Sequence, residues 1–159
     1  MTPISPFLWF DTEAEEAAAF YVSLFPNSRI VGVQRLEGAP GPEGKALTVD
    51  FELDGRPFVA LNGGPQYRFT EAFSLAIRCD TQAEVDRLWD KLTADGGEPG
   101  PCGWLKDRWG LSWQVVPKVL FELLGDPDRD RSGRAMQAML KMGKLDSAAL
   151  LAAADGEAA

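Results

Sequence analysis

Residues 73–92, FSLAIRCDTQAEVDRLWDKL, read as an apolar strand that breaks at Asp80-Thr81 into a helix. Residues 4–24, ISPFLWFDTEAEEAAAFYVSL, spell the same order. The pentads Asp11-Thr12-Glu13-Ala14-Glu15 and Asp80-Thr81-Gln82-Ala83-Glu84 differ at one position. In each, a threonine stands three residues before a glutamate, the spacing of a capping box in which side chains and backbone N–H groups satisfy one another. Helical spacing follows both times: Ala17, Phe20, Tyr21 and Leu24 after the first pentad, Val85, Leu88, Trp89 and Leu92 after the second. A strand–helix unit is thus present twice.

Working outward, Ser28–Leu36 reads as a strand rich in β-branched residues. Leu47, Val49, Phe51 and Leu53 alternate with polar residues, and Asp54-Gly55 offers the two positive φ angles of a type I′ turn. Arg56–Asn62 is the return strand. In the second half, Cys102–Lys106 and Leu111–Val116 flank the turn Asp107-Arg108-Trp109-Gly110. The expectation is an α+β chain. Residues 1–117 form two strand–helix–strand–strand–strand modules, about 1–66 and 67–117, and residues 118–151 add a helical segment to the same domain. In that segment a helix opens at Asp126-Pro127 and presents Met136, Met139, Leu140 and Gly143 on one face. Residues 152–159 read as a frayed tail.

Composition narrows the chemistry. The chain has 159 residues, 24 acidic and 16 basic, for a net charge of −8, and no histidine. The acidic balance argues against nucleic-acid or membrane partners, which need a basic face. The missing histidine removes the commonest general base near neutral pH and the commonest ligand for zinc, copper or iron. Cys79 and Cys102 lack CxxC spacing and read as reduced thiols of a cytoplasmic protein. The start carries no basic n-region, so no signal peptide is expected. There is no GxxxxGK(S/T) loop, no GxGxxG between a strand and a helix, and no GxSxG elbow.

What remains are polar residues within apolar strands. Alternation puts Ser74, Ala76 and Arg78 on one face of their strand, and Ser112, Gln114 and Val116 on one face of theirs. Asn62 ends the strand Phe-Val-Ala-Leu-Asn. Such groups either find internal partners or line a ligand cavity.

The motifs carry a resemblance. FYVSLFPNS (20–28) is similar to the FY…LG helix ending of the vicinal oxygen chelate superfamily, and DRWG (107–110) stands where that superfamily carries DPDG. LWFDTEAEEAAAFYVSLFPNSRI (8–30), FELDGRPFVALNGGP (51–65), CGWLKDRWGLSWQVVP (102–117) and RAMQAMLKM (134–142) resemble its PhnB-like branch. Members of that branch are often labelled 3-demethylubiquinone-9 3-methyltransferase. The resemblance implies paired βαβββ modules forming a curved mixed-sheet cup, and a homodimer. In metal-using relatives four side chains converge in the cup. Their equivalents here, counted by motif, are Ser5, Ala60, Ser74 and Gln114, none a ligand for a first-row metal.

No metal and no other cofactor is therefore expected. The methyltransferase label finds no doubly wound sheet or glycine-rich loop to support it. The first hypothesis is a protein binding a small apolar or aromatic molecule in a cup lined by Phe7, Trp9, Phe51, Phe58, Asn62, Ser74, Arg78, Ser112 and Gln114. A second is an enzyme working without a metal, with help from Arg78 or Cys102, and a third is a structural dimer with no ligand.

Overall fold

The computed structural model describes residues 4–38 and 41–157. The chain divides into two compact units at Phe69–Thr70, and the helical C-terminal segment belongs to the second. In the first unit the order is β1 (Phe7–Phe10), α1 (Ala14–Leu24), β2 (Arg29–Gln34), β3 (Thr48–Leu53) and β4 (Arg56–Asn62). The second runs β5 (Ser74–Cys79), α2 (Gln82–Thr93), β6 (Glu98–Pro99), β7 (Trp104–Lys106) and β8 (Ser112–Pro117). It continues with α3 (Lys118–Leu124), α4 (Arg129–Met139) and α5 (Ser147–Ala154). The chain is α+β: two tandem βαβββ modules with C-terminal helices.

The topology repeats. The sheets run β1-β4-β3-β2 and β5-β8-β7-β6, each with its first strand parallel to its last and the other pairs antiparallel. The β3–β4 turn has φ of 49° at Asp54 and 72° at Gly55, the expected type I′ signature. β6 is a two-residue edge strand that the sequence pattern did not indicate; its Pro99 suits an edge, where no ladder donor is required.

One face of each sheet is covered by its helix. α1 turns Ala14, Ala17, Ala18, Tyr21 and Leu24 onto Leu8, Phe10, Val49, Phe51, Phe58 and Ala60. Its alanines let it lie close to the sheet. Phe51 stacks on Phe58 with ring centroids 5.4 Å apart. α2 buries Val85, Leu88, Trp89 and Leu92 with Leu105, Trp113 and Val115. Each such side chain contributes about 1.5–3 kcal/mol relative to exposure, which is why the apolar stripes decide the helix faces.

The two pentads do not fold alike. Thr81 and Glu84 form the expected capping box: Thr81 Oγ1 accepts from the Glu84 N–H at 3.2 Å, and Glu84 Oε2 accepts from the Thr81 N–H at 3.3 Å. At α1 the box between Thr12 and Glu15 is absent. Glu13 is the N-cap and its side chain makes no cap bond. Glu15 is taken instead by Arg35, whose Nη1 donates to Oε2 at 2.9 Å, and by the Ala46 N–H at 3.3 Å.

The C-terminal segment also departs from expectation. α4 buries Ala135, while Met136 is 39% and Leu140 54% exposed. The stripe is split: Met136 and Leu140 face solvent, while Met139 packs against the buried cluster. Ala135 joins Val116, Leu120, Leu123, Leu145, Leu150 and Ala154 in one cluster, with Met139 and Met142 at its edge. Ala152–Ala154, expected in a frayed tail, complete α5. Arg134 Nε and Nη2 donate to the Ala154 carbonyl at 2.9 and 2.6 Å, and Arg131 pairs with Asp126 and Asp155. Among the described residues no helix is long and apolar enough to cross a membrane.

Candidate functional site

Strand pairing fixes which side chains share a face. In the second unit Ser74 lies opposite Ser112, Ala76 opposite Gln114 and Arg78 opposite Val116, while Gln114 also faces Trp104 and Ser112 faces Lys106. These residues occupy the side of the sheet away from α2. Four of the expected site residues, Ser74, Arg78, Ser112 and Gln114, are therefore brought together, along with Trp104 and Lys106. Gln114 Nε2 donates to Ser74 Oγ at 2.9 Å. Ala76 and Arg78 are exposed, Gln114 and Trp104 half-buried, and Ser112 buried.

Charged groups border this face. Lys106 pairs with Glu71; their hydrogen bond raises the lysine pKa and lowers that of the glutamate. Arg78 lays its guanidinium over the Phe121 ring, 4.5 Å from the centroid. Arg78, Asp80, Lys118, Phe121 and Glu122 line a solvent-open cavity of ≈ 400 Å³. Phe121 carried no signal in the sequence, because it meets Arg78 across 43 residues. The two thiols are both free. Cys79 faces α2, and burial pushes its pKa up to about 11, which suppresses the thiolate. Cys102 sits at φ 57° in the turn before β7, its N–H donating to the Met142 carbonyl at 2.8 Å.

The first unit places its candidates on two opposite faces. Phe7 and Trp9 pair with Val59 and Leu61 on the side away from α1. Phe7 is 60% exposed. Trp9 is held: Nε1 donates to the Gly64 carbonyl at 2.8 Å and Tyr67 meets its ring edge-on at 5.0 Å. A Cβ on Gly63 would lie 2.3 Å from that ring, so only glycine admits this close approach.

Phe51, Phe58 and Asn62 do not join Phe7 and Trp9. They lie beneath α1, and the expectation that grouped them is corrected by the register, which sets Phe51 opposite Phe58 and Phe10 opposite Asn62. Asn62 is 1% exposed and structural: its Oδ1 accepts from the Ala14 N–H at 2.8 Å, and its Nδ2 donates to the Ala46 carbonyl at 2.9 Å. It thereby supplies the cap that Thr12 does not.

Asp107, which sequence reasoning treated only as a turn residue, is 2% exposed and organises the approach to β8. Oδ1 accepts from the Trp109 and Leu111 N–H groups at 2.9 and 3.1 Å, and Oδ2 from Trp113 Nε1 at 2.9 Å. The DRWG motif is thus a buried aspartate that orders its own turn.

A family model described as 3-demethylubiquinone-9 3-methyltransferase matches residues 2–116. The chain belongs to this family. A Bacillus cereus PhnB protein is similar at 36% identity and a TM-score of 0.66, over 73% of this chain and 99% of the other. The Pseudomonas aeruginosa protein PA1353 shares 20% identity and a TM-score of 0.60, over 74% of this chain and 98% of its own. The fosfomycin resistance protein FosX of Listeria monocytogenes shares 17% and 0.53, over 77% and 97%. These last two likenesses concern the fold alone. No curated protein matches the chain.

The metal implied by the superfamily does not fit these residues. Ser74 and Gln114 bond to each other as neutral groups. Ala60 offers no donor and is wholly buried under α1, level with Leu8 rather than on the face of Phe7. Ser5 is half-buried ahead of β1. Among the described residues, no three His, Cys, Asp or Glu side chains are grouped to hold a metal ion.

Proposed function

We propose that this protein binds a small molecule on the open face of its second sheet without a metal ion. The Gln114–Ser74 hydrogen bond at 2.9 Å carries the reading. It joins the two positions at which a chelating relative would place ligands, and offers an amide and a hydroxyl that can rearrange toward a guest. Trp104 supplies an apolar wall beside them, and a few polar groups on an otherwise apolar surface are the usual makeup of a ligand site. Methyl transfer, which the family's description names, gains no support from two mixed four-stranded sheets, since S-adenosylmethionine is ordinarily held on a doubly wound one.

A ligand screen by thermal shift on chelator-treated protein tests the reading. Compounds that bind should lose roughly threefold to tenfold affinity in Gln114→Ala, the worth of one or two hydrogen bonds. Stoichiometric zinc, iron or manganese in the purified protein, with ligand binding that depends on it, would contradict it.

The reading extends to a cytoplasmic homodimer. Two unpaired thiols suit a reducing compartment. Exposed Ile30, Val31 and Val33 on edge strand β2, together with Phe7, give the first unit apolar surface to cover. Light scattering should return twice the chain mass.

A further inference from the structure

The family match ends at residue 116, and α3–α5 begin directly after it. The C-terminal segment reaches back to the open face. α3 follows β8 without a loop and supplies Lys118, Phe121 and Glu122, three of the five residues that line the ≈ 400 Å³ cavity; β5 supplies Arg78 and the residue after β5 is Asp80.

Arg78 is the distinctive member. Arg29, Arg35, Arg108 and Arg131 each direct their guanidinium to a carboxylate. Arg78 instead holds its guanidinium carbon over the Phe121 ring, 4.5 Å from the centroid, and among the described residues it forms no ion pair. The ring contact leaves its N–H groups without a carboxylate partner. A guanidinium fork matches two carboxylate oxygens, and the ring contact restricts where it can point. Lys118 adds a second positive charge. Asp80 and Glu122 line the same cavity and oppose a second negative charge on the guest.

We propose that the C-terminal segment builds a subsite for a monocarboxylate with a planar apolar body. Arg78 takes the carboxylate in a fork, Phe121 holds Arg78 and borders the guest, and Asp80 and Glu122 exclude dianions. The proposal rests on the reading that this face binds small molecules, and names the class of guest.

Titration of the full chain with benzoate, benzamide and phthalate, followed by NMR, tests it. Benzoate should bind about tenfold or more tightly than benzamide, the worth of a charge-assisted bond, and more tightly than phthalate. Its shifts should centre on Arg78 and Phe121. Arg78→Gln should remove the preference for benzoate over benzamide, and Arg78→Lys should restore it only in part. Arg78 is exposed, so its variants should fold, which the unchanged spectrum of the first unit checks. Equal binding of benzoate and benzamide, or a preference that survives Arg78→Gln, overturns the subsite. Guests that respond to Gln114→Ala but not to Arg78→Gln overturn it too, while leaving the small-molecule reading in place. Absence of binding by every compound overturns both.

Discussion

The two units start from nearly one pentad and share one topology, yet they secure their helices differently and present different open faces. In the second, Thr81 and Glu84 cap α2 locally. In the first, the cap of α1 comes from Asn62, 48 residues away, while Glu15 is drawn to Arg35. The open face of the first unit bears Phe7, a pinned Trp9 and, from β3, Thr48, Asp50 and Glu52. That of the second bears Ser74, Arg78, Gln114 and a buried Ser112. A duplicated strand–helix code thus fixes the sheet order. The residues on the uncovered face are left to diverge: acidic groups beside aromatic rings in one copy, a serine–glutamine pair beside Arg78 in the other.

The comparison can be broken most forcefully at Asn62. Asn62→Ala strands the buried Ala14 N–H and Ala46 carbonyl, so denaturant unfolding should show a loss of about 3 kcal/mol. A near-neutral result would mean that α1 has another cap. The local box of the second unit is worth less: Thr81→Ala should cost about 1 kcal/mol in the same melt. Thr12→Ala, at the matching position of the first pentad, should change stability by no more than about 0.5 kcal/mol, because no box forms there. If the two threonines prove equal, the asymmetry between the units fails.

A smaller effect concerns the C-terminal helices, which only the second unit carries. The Asp128 N–H and then the Arg131 guanidinium hold the Asp126 pKa below its usual range. A carboxylate depressed in the folded state stabilises above its unfolded pKa of about 3.9, and that contribution fades as pH falls through the lower folded value. Hydrogen exchange in α5 should therefore accelerate as pH drops below about 4, once corrected for intrinsic rates. Asp126→Asn should show a shallower pH dependence.

Much of this was legible in the chain. Asp54-Gly55 announced its hairpin because a type I′ turn needs two positive φ angles, and the stripe Val85, Leu88, Trp89, Leu92 announced the face of α2. Alternation also put Ser74, Arg78, Ser112 and Gln114 on common faces. It could not say that Phe51, Phe58 and Asn62 lay on the other side of their sheet from Phe7, since the phase between strands is set by register, not by pattern. Asn62 was opaque for a related reason: a cap supplied from a distant strand leaves no local spacing. In α4 the stripe was only half informative, because Met139 packs beside Ala135 while Met136 and Leu140 stay exposed. The meeting of Arg78 with Phe121 depends on how α3 turns back from β8, which no spacing records.

The most direct test of the metal-free platform is an NMR ligand titration of chelator-treated protein that follows the Gln114 side-chain amide. The account predicts shifts at Gln114 and at residues 74–78, 104–106 and 112–116, unchanged when zinc or manganese is restored. Shifts confined to residues 4–69, or binding that appears only with the metal, would contradict it.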